Sequence, residues 1–441
     1  MFSNKDITRL MIPLIVEQTL AVTIGVADTV MVAYVGETVV SGVSIVDAIN
    51  MLLVQVFAAL ATGGAIVVAQ YLGRQDKSSA CEAAKQLFLV MGAIGSVVAA
   101  VCVIWRVDIL RLVYHTVEPA VMESAQEYFY LTGLSFPFFA LYNSGAALFR
   151  SQGNSRVSML TALMMNILNI GGNAIFLFGY NMGAKAVGLG TLIARAIGAA
   201  VMLYLIHDRR NRVYVDRLWP LRFKTKMVAT ILRVGVPTGL ENGMFHFGKL
   251  MVAGLVASFG TVAITANAVG NSISSTACIP GSAVGLGMIT IVGQCIGAGE
   301  YEQARHYIKK LMKLAYLIGG AFNILVLLFI RQLVGFFSLS PQTAHIAIIV
   351  SSMHAGCWLL AWPAAFTLPN GLRAAGDVKF TMMVSVAVMW ACRIGLSYVF
   401  AGYFGMGLIG VWLAMILDWV VRAVIYIARF MGSRWYSHAV I

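Results

Sequence analysis

The sequence predicts an all-α integral membrane protein with twelve transmembrane helices in two six-helix bundles, related by a parallel pseudo-two-fold repeat. Three observations support this prediction: an apolar composition, a series of helix-length apolar runs, and a second half that repeats the first. Of the 441 residues, 60% are apolar and 11% are charged, whereas soluble domains carry about 25% charged residues. A water-soluble enzyme, a disordered chain and a disulfide scaffold are therefore excluded.

Twelve apolar runs, each bounded by glycine, proline or charge, predict the spanning helices. They cover residues 8–34, 41–72, 85–105, 123–149, 157–180, 186–206, 228–259, 263–297, 308–330, 342–371, 380–402 and 407–430. Several runs exceed the roughly 20 residues that cross a bilayer, so we expect tilted, kinked or protruding helices.

The lysines and arginines are distributed unequally between the connections on the two sides of the membrane. Twenty-two lie at the chain ends and in one alternate set of connections, and four lie in the other set. Positively charged connections face the cytoplasm, so we expect a multi-pass protein of the cell membrane with both termini cytoplasmic. Topology thus explains the net charge of +13, and no nucleic-acid partner is expected.

The second half of the chain repeats the first in register. At an offset of 224 residues, the matched pairs are Pro13 with Pro237, Glu17 with Glu241, Gln70 with Gln294 and Gly73 with Gly297. Arg150 and Gly153 match Arg373 and Gly376 at an offset of 223. Six spans per copy make both copies enter from the same side, which defines a parallel repeat and is typical of transporters.

The repeat also predicts the domain boundaries. We expect an N-terminal six-helix bundle over residues 1–206, a basic cytoplasmic linker over 207–226 and a C-terminal six-helix bundle over 227–441. Transporters with such repeats work by rocking one bundle against the other around a central site.

Several motifs together resemble the multidrug and toxin extrusion (MATE) family, and the resemblance covers essentially the whole chain. They are Pro-x-x-x-Glu in spans 1 and 7, the Asp of GVADTVMVAYVG, the GQCIGAGE segment after span 8 and LRAAGD followed by Trp and Arg after span 10. The resemblance implies a bacterial antiporter that exports amphipathic, often cationic, drugs or metabolites in exchange for H⁺ or Na⁺. It implies no enzymatic activity and no cofactor.

Four polar residues are predicted to lie at similar depth in the outer half of the first bundle: Asp28, Asn169, Asn173 and Thr191. Asp28 is six residues from the outer end of span 1, about 9 Å deep, and the two asparagines share one face of span 5. An ionisable residue in a span is costly and indicates function. The alternative is a structural cluster of hydrogen-bonded polar groups.

The resemblance implies that these four residues bind the coupling ion. Related transporters place an acid where this chain has Asn173, so one carboxylate is missing and Asp28 is left as the main titrating group. We therefore expect H⁺ as the coupling ion. Na⁺, bound by the oxygens of the same four residues, is the alternative; no other metal site is expected.

The second half carries its own charged residues in span 7. Glu241 is a candidate for a second cation or substrate site, together with Lys249 and His246. Related transporters combine a glutamate at this position with an aspartate in span 10, but span 10 here has no acid, and Lys249 could neutralise Glu241. The repeat mate Glu17 is predicted to act in gating or in structure.

Three further charges lie inside spans. Asp47 is level with Asp28, and we expect it to favour protonation of Asp28 as a like charge, to cap a helix break or to take part in gating. Arg393 and Asp418 are at similar depths in spans 11 and 12, which predicts a structural ion pair.

Two other functions are alternatives to the antiporter. A flippase for lipid or lipid-linked oligosaccharide shares the broad superfamily, but such proteins tend to line the cavity with several arginines, and the spans here hold few. A membrane-embedded enzyme would need an HExxH, paired-aspartate or Ser/Lys motif, and none occurs. The expected partners are an amphipathic small molecule and membrane lipid, and the expected state is a monomer.

Overall fold

The computed structural model describes residues 2–114, 117–437 and 440–441, and within them the secondary structure is helical, with no β-strand. The α-helices are α1 (Asn4–Ala33), α2 (Glu37–Gly73), α3 (Lys77–Ile104), α4 (Arg106–Val113), α5 (Pro119–Ser151), α6 (Ser155–Ala174), α7 (Ala184–Ile206), α8 (Thr225–Ala257), α9 (Thr261–Ala277), α10 (Ile279–Gly297), α11 (Tyr301–Leu328), α12 (Ile330–Gly335), α13 (Pro341–Trp358), α14 (Leu368–Ala374), α15 (Val378–Val388) and α16 (Gly407–Met431). Four π-helical segments interrupt them: Ile175–Gly179, Pro363–Thr367, Met389–Gly395 and Tyr398–Tyr403.

By length and composition, nine helices of the described chain can cross a membrane, or ten if one bent pair counts as a single span. That pair, Pro341–Trp358 with Pro363–Ala374, is bent by 66°. The predicted eighth span is divided at Cys278 into α9 and α10, with a proline at the start of α10. An all-helical membrane protein is thus confirmed, whereas the count of twelve spans stays a prediction.

Several helices begin earlier than the apolar runs indicate, because polar residues extend them beyond the apolar segment. Ser3 caps α1 by a reciprocal capping box with Asp6, and the Asp76 side chain accepts a hydrogen bond from the backbone of Ser79 at the start of α3. Such caps satisfy the free N–H groups of a first helical turn. Apolar runs therefore mark the membrane-embedded part of a helix and miss its polar ends.

The chain forms two compact units, Ser3–Gly239 and Leu240–Val440, and Phe2 belongs to the second. In the first, α5 packs against α2, α3 and α7, and α6 packs between α1 and α7. In the second, α13 packs on α9, α10 packs on α11 and α14, and α16 packs against the π-helical segments. The division falls within α8, and the boundaries derived from the repeat stay a prediction.

The basic linker is fixed to the first unit through α3. The Gln86 side chain donates to the carbonyl of Arg222 at 2.9 Å and accepts from the backbone N–H of Lys224 at 3.0 Å. The Lys224 ammonium also lies 3.1 Å from a Glu82 carboxylate oxygen. The linker segment before α8 is therefore held by specific hydrogen bonds to the N-terminal unit.

Candidate ion-coupling and charged sites

The four residues predicted to lie at one depth of the first bundle form a continuous hydrogen-bonded chain, which we call the N-terminal polar chain (Asp28, Asn173, Asn169, Thr191). The Asn173 amide donates to Asp28 Oδ1 at 2.8 Å and to Asn169 Oδ1 at 3.2 Å. The Asn169 amide in turn donates to Thr191 Oγ1 at 3.1 Å. Three helices, α1, α6 and α7, thus bring the predicted residues together.

Local backbone structure holds the N-terminal polar chain in place. The two asparagines are four residues apart on α6, so their side chains stack on one face, and a π-helical segment begins two residues after Asn173. On α7, Gly190 leaves the space that the Asn173 amide fills, since a Cβ there would lie 2.0 Å from Asn173 Oδ1. Short π-helical insertions occur often at functional sites.

The side-chain oxygens of the N-terminal polar chain differ in whether they accept a hydrogen bond. Asp28 Oδ1, Asn169 Oδ1 and Thr191 Oγ1 each accept a hydrogen bond from a neighbouring amide. Asn173 Oδ1 is buried and accepts none among the described residues. Asp28 is half-buried, and within the described chain it is part of no ion pair. A carboxylate with one oxygen engaged keeps capacity for a proton or another cation.

Asp47 lies near Asp28 in the N-terminal polar chain, together with two residues that the sequence analysis missed, Tyr128 and Arg195. Tyr128 donates its hydroxyl to Asp47 Oδ1 at 2.9 Å. Arg195 donates to Ser135 Oγ at 2.7 Å, lies 4.5 Å from the centre of the Phe139 ring and interacts electrostatically with both aspartates. Arg195 was identifiable from the sequence, because it is one helical turn after Thr191 and so faces the same side of α7. The predicted effect of Asp47 on Asp28 stays a prediction.

Glu17 is fixed in an ion pair at the cytoplasmic end predicted for span 1. Its Oε1 lies 2.6 Å from Arg150 Nη1, and its Oε2 accepts from Ser158 Oγ at 2.6 Å. Both oxygens of this buried carboxylate are therefore engaged. This geometry suits the gating or structural role predicted for Glu17.

Glu241 has the same kind of partner as its repeat mate. Its Oε1 lies 2.6 Å from Arg373 Nη2 and accepts a hydrogen bond from Ser385 Oγ. Arg373 is the residue that the repeat aligns with Arg150. The prediction that Lys249 neutralises Glu241 is wrong, because Arg373 forms the ion pair with Glu241.

Lys249 and His246 lie next to Phe245 instead. The Lys249 ammonium is 5.8 Å from the centre of the Phe245 ring, and the His246 ring meets the same ring edge-on at 5.9 Å. Lys249 is exposed and forms no ion pair with a described carboxylate. Among the described residues, Lys249 and His246 therefore lie together, as predicted, but Glu241 pairs with Arg373 and not with them.

The predicted contact between Arg393 and Asp418 is present, but Arg422 shares the carboxylate. Arg422 Nε donates to Asp418 Oδ1 at 2.8 Å, whereas Arg393 Nε is 3.6 Å from Oδ2. Both guanidinium groups also lie near the Phe245 ring: that of Arg393 is 5.0 Å from the ring centre, and that of Arg422 is 6.0 Å from it. Two buried arginines thus share one aspartate in the C-terminal unit.

The comparisons with known proteins agree with the repeat. The family model MatE matches residues 13–175 and 237–399, so its two copies begin at the same prolines, Pro13 and Pro237, that the sequence repeat aligns. The chain is 28% identical over 433 residues to the uncharacterized transporter YisQ of Bacillus subtilis, covering 96% of this chain and 93% of that protein. It is 25% identical to the probable multidrug resistance protein NorM of Thermotoga maritima, covering 99% and 94%.

A solved structure has the same fold. A MATE crystal structure in the bent conformation superposes with a TM-score of 0.89 at 19% identity, covering 97% of this chain and 94% of that one.

Proposed function

The chain belongs to the MatE family, and we propose from this premise that it is a secondary antiporter which exports amphipathic, cationic drugs or metabolites in exchange for H⁺. The observation that supports this proposal most is the N-terminal polar chain, in which a half-buried aspartate is hydrogen-bonded to buried amides. The bundles rock between inward-facing and outward-facing states. The relatives named transporters or multidrug resistance proteins are consistent with export.

The same proposal includes the predicted arrangement in the membrane. The chain crosses the cell membrane twelve times, with both termini in the cytoplasm, and acts as a monomer. The asymmetric distribution of lysine and arginine supports the orientation. Nine or ten described helices already meet the length and composition needed to span, and the polar residues within α5 and α8 explain why those long helices fall short.

The hydrogen bonds of the N-terminal polar chain support a proton as the coupling ion. Three of its oxygens already accept a hydrogen bond from an amide, so a Na⁺ ion would have to share each of these oxygens with an N–H donor, and its coordination there would be weaker. A proton needs one free carboxylate oxygen, which Asp28 Oδ2 provides. Protonation removes the charge and changes the charge-assisted hydrogen bond from Asn173 into a weaker neutral one.

Protonation and substrate binding are then mutually exclusive. A cationic substrate is held by the charge of Asp28, and a proton entering from outside cancels that charge and releases it. Loss of the charge also loosens the link between α1 and α6, because the hydrogen bond from Asn173 to Asp28 joins those two helices. Ligand and proton therefore favour different arrangements of the same helices, as coupled exchange requires.

One observation favours Na⁺ as the second candidate. Asn173 Oδ1 is a buried carbonyl oxygen that accepts no hydrogen bond among the described residues, and carbonyl and carboxylate oxygens are suitable ligands for hard cations. With Asp28 it offers two ligand residues, and Asn169 Oδ1 and Thr191 Oγ1 would have to share their oxygens with the amides that already donate to them.

Dye efflux in everted membrane vesicles, with pH and Na⁺ gradients imposed separately, tests this proposal. We expect transport to follow the pH gradient at zero Na⁺. A strict requirement for Na⁺, with no response to a pH gradient, would show that H⁺ is the wrong ion. No dye transport under either gradient would contradict the antiporter itself.

A further inference from the structure

The C-terminal unit concentrates positive charge around one aromatic ring. Lys249, Arg393 and Arg422 all lie within 6.0 Å of the centre of the Phe245 ring. These three cations come from three different helical segments, α8, the π-helical segment Met389–Gly395 and α16. They therefore form a tertiary cluster, which we call the basic cluster.

The basic cluster has too few carboxylates to balance it. Asp418 is the acid in ion-pair contact with its arginines among the described residues, and Glu241 is committed to Arg373. Arg422 makes the close contact with Asp418, and Arg393 makes only the longer one. Two positive charges are thus left without a matching acid inside a membrane-embedded unit, where uncompensated charge is costly.

Unused hydrogen-bonding groups also lie in the basic cluster. Arg393 Nε is buried, with its residue 6% exposed, and it donates no hydrogen bond to any described residue. Asp418 Oδ2, which faces it at 3.6 Å, accepts none within the described chain. A guanidinium group presents its donors in a fixed fork that fits an oxyanion, so Arg393 retains unused capacity to bind one.

Lys249 supplies an accessible charge at the same place. It lies eight residues before the end of α8, about 12 Å along the helix axis, and its side chain is exposed. An ammonium group at that depth does not face hydrocarbon, because such exposure is too costly. It therefore faces water or a ligand, on the side of α8 where Arg393 also contacts Phe245.

Aromatic rings extend from the basic cluster. Arg422 lies 5.4 Å from the centre of Phe366, which stacks on Trp362 at 5.3 Å and meets Trp419 edge-on at 6.2 Å. Such surfaces favour flat apolar groups, and neighbouring cations favour a negatively charged one. The cations and the aromatic rings together favour a ligand that has a negatively charged group attached to a flat apolar group.

We propose that the C-terminal unit contains a binding site for an oxyanion attached to a flat apolar body. The carboxylate, sulfonate or phosphate lies between Lys249 and Arg393, and the apolar body packs on the rings around Phe245. In an exporter of amphipathic compounds, this site takes anionic compounds and the acidic end of zwitterionic ones. It rests on charges within the second unit alone and does not depend on the ion that drives transport.

Equilibrium binding tests the site without any gradient. The full-length protein is placed in nanodiscs of phosphatidylcholine and titrated with naphthalene-2-carboxylate and, separately, with the neutral naphthalene-2-carboxamide. We expect the carboxylate to bind about tenfold more tightly, because hydrogen bonds to charged groups contribute more than neutral ones. Equal affinity for the two compounds, or no binding of the carboxylate, overturns the proposal.

Two substitutions in the same helix assign the site. Lys249→Gln should weaken carboxylate binding about tenfold and leave the carboxamide unchanged, while Lys249→Arg should keep most of the affinity. Arg233→Gln, which removes an exposed positive charge from the same helix, is the matched control and should have no effect. Unchanged carboxylate affinity in Lys249→Gln overturns the proposal, and the comparison between carboxylate and carboxamide does not depend on any variant.

A lipid phosphate has the same chemistry as a phosphate on a small molecule. Nanodiscs that contain phosphatidylglycerol separate the two sources. If that lipid weakens carboxylate binding in the unmodified protein and not in Lys249→Gln, the oxyanion at the site is a lipid headgroup. If it changes neither, the ligand is a soluble anion. Asp28→Asn should bind the carboxylate normally, so a failure of ion coupling and a failure of this site are distinguishable.

Discussion

The two repeats keep the same ion pair but differ in the charge of their polar centres. Glu17 with Arg150 and Glu241 with Arg373 have matching separations of 2.6 Å, and each glutamate also accepts a hydrogen bond from a serine. At the repeat offset of 224, however, Asp28 corresponds to Val252, and Lys249 corresponds to Gly25. The first helix of one copy thus carries an acid, and the first helix of the other carries a base at a different repeat position.

The difference indicates which contacts belong to the shared framework and which to a specialised role. A contact present in both copies, such as the Glu–Arg pair, serves a need that both bundles have, which is to fix the first helix of each copy. A charge present in one copy alone cannot serve that need. If the two proposals above hold, Asp28 and Lys249 are residues at which the repeats differ in function, for a proton or cation in one and for an anion in the other.

The largest expected effect comes from Asp28→Asn. The substitution removes the charge and nearly preserves the shape, so the protein should fold and insert while transport driven by a pH gradient is lost completely. Dye efflux and the amount of folded protein are measured together. Efflux against a gradient at the unmodified rate would place the coupling site elsewhere and would remove the contrast between the two repeats.

A smaller effect is expected when the shared framework is disturbed. Glu17→Gln and Glu241→Gln each remove a buried carboxylate from a half-buried arginine, and breaking a buried ion pair costs about 3–5 kcal/mol. Because the contacts are copied, the two variants should lower the thermal unfolding midpoint by similar amounts. Asp216→Asn is the control, since its ion pair with Arg209 is exposed and such pairs contribute about 1 kcal/mol or less. A silent variant in one repeat would show that the ion pairs are not equivalent.

A third test concerns the packing that positions Asn173. In Gly190→Ala the new methyl group would overlap Asn173 Oδ1, which lies 2.0 Å from the Cβ position, and overpacking costs about 1–3 kcal/mol. The amide must move away from Asp28, so pH-driven efflux should fall about tenfold, and the protein should lose about 1–3 kcal/mol of stability but still fold. Gly171→Ala, on the neighbouring helix with nothing within 4 Å of its Cβ position, should behave as the unmodified protein. Equal activity of both variants would mean that the Asn173 amide is not needed in its observed position.

The sequence predicted these features to different degrees, for physical reasons. Helix positions follow from apolar runs because lipid requires apolar side chains, and the N-terminal polar chain follows from depth because three helices place Asp28, Asn169 and Thr191 at one level. The pairing of Glu241 with Arg373 was missed because the residues are 132 positions apart and helix rotation is not set by hydropathy. The repeat held the missing signal, since both glutamates and both arginines occur at matched positions.

Other features depend on packing and leave weak traces in the sequence. The π-helical segments after α6 and around Arg393 carry no local signature that separates them from α-helix. Arg393 lies within the segment Met389–Gly395, where the rotation per residue differs from that of an α-helix, so the length of its contact with Asp418 was not predictable. Arg195 did leave a trace in the sequence, because it lies one helical turn after Thr191.

The smallest expected effect, and the sharpest test of the acidic repeat, is the response of Asn173→Asp to Na⁺. The substitution replaces an amide that donates to Asp28 at 2.8 Å with a carboxylate that cannot donate unless it is protonated. Two acids then face one another and repel, which favours binding of one cation between them. A proton shared by the pair and a Na⁺ ion bound by both are the two solutions, and the added carboxylate oxygen improves the second more. We expect efflux at fixed pH to rise a few-fold as Na⁺ is increased from zero, whereas the unmodified protein should show no rise.

Asn166→Asp is the control, because Asn166 lies two turns from Asn173 on α6 and donates to the carbonyl of Leu20 instead. The same Na⁺ response in both variants would attribute the effect to added negative charge in general, and no response in Asn173→Asp would mean that the missing acid is not what sets the choice of ion.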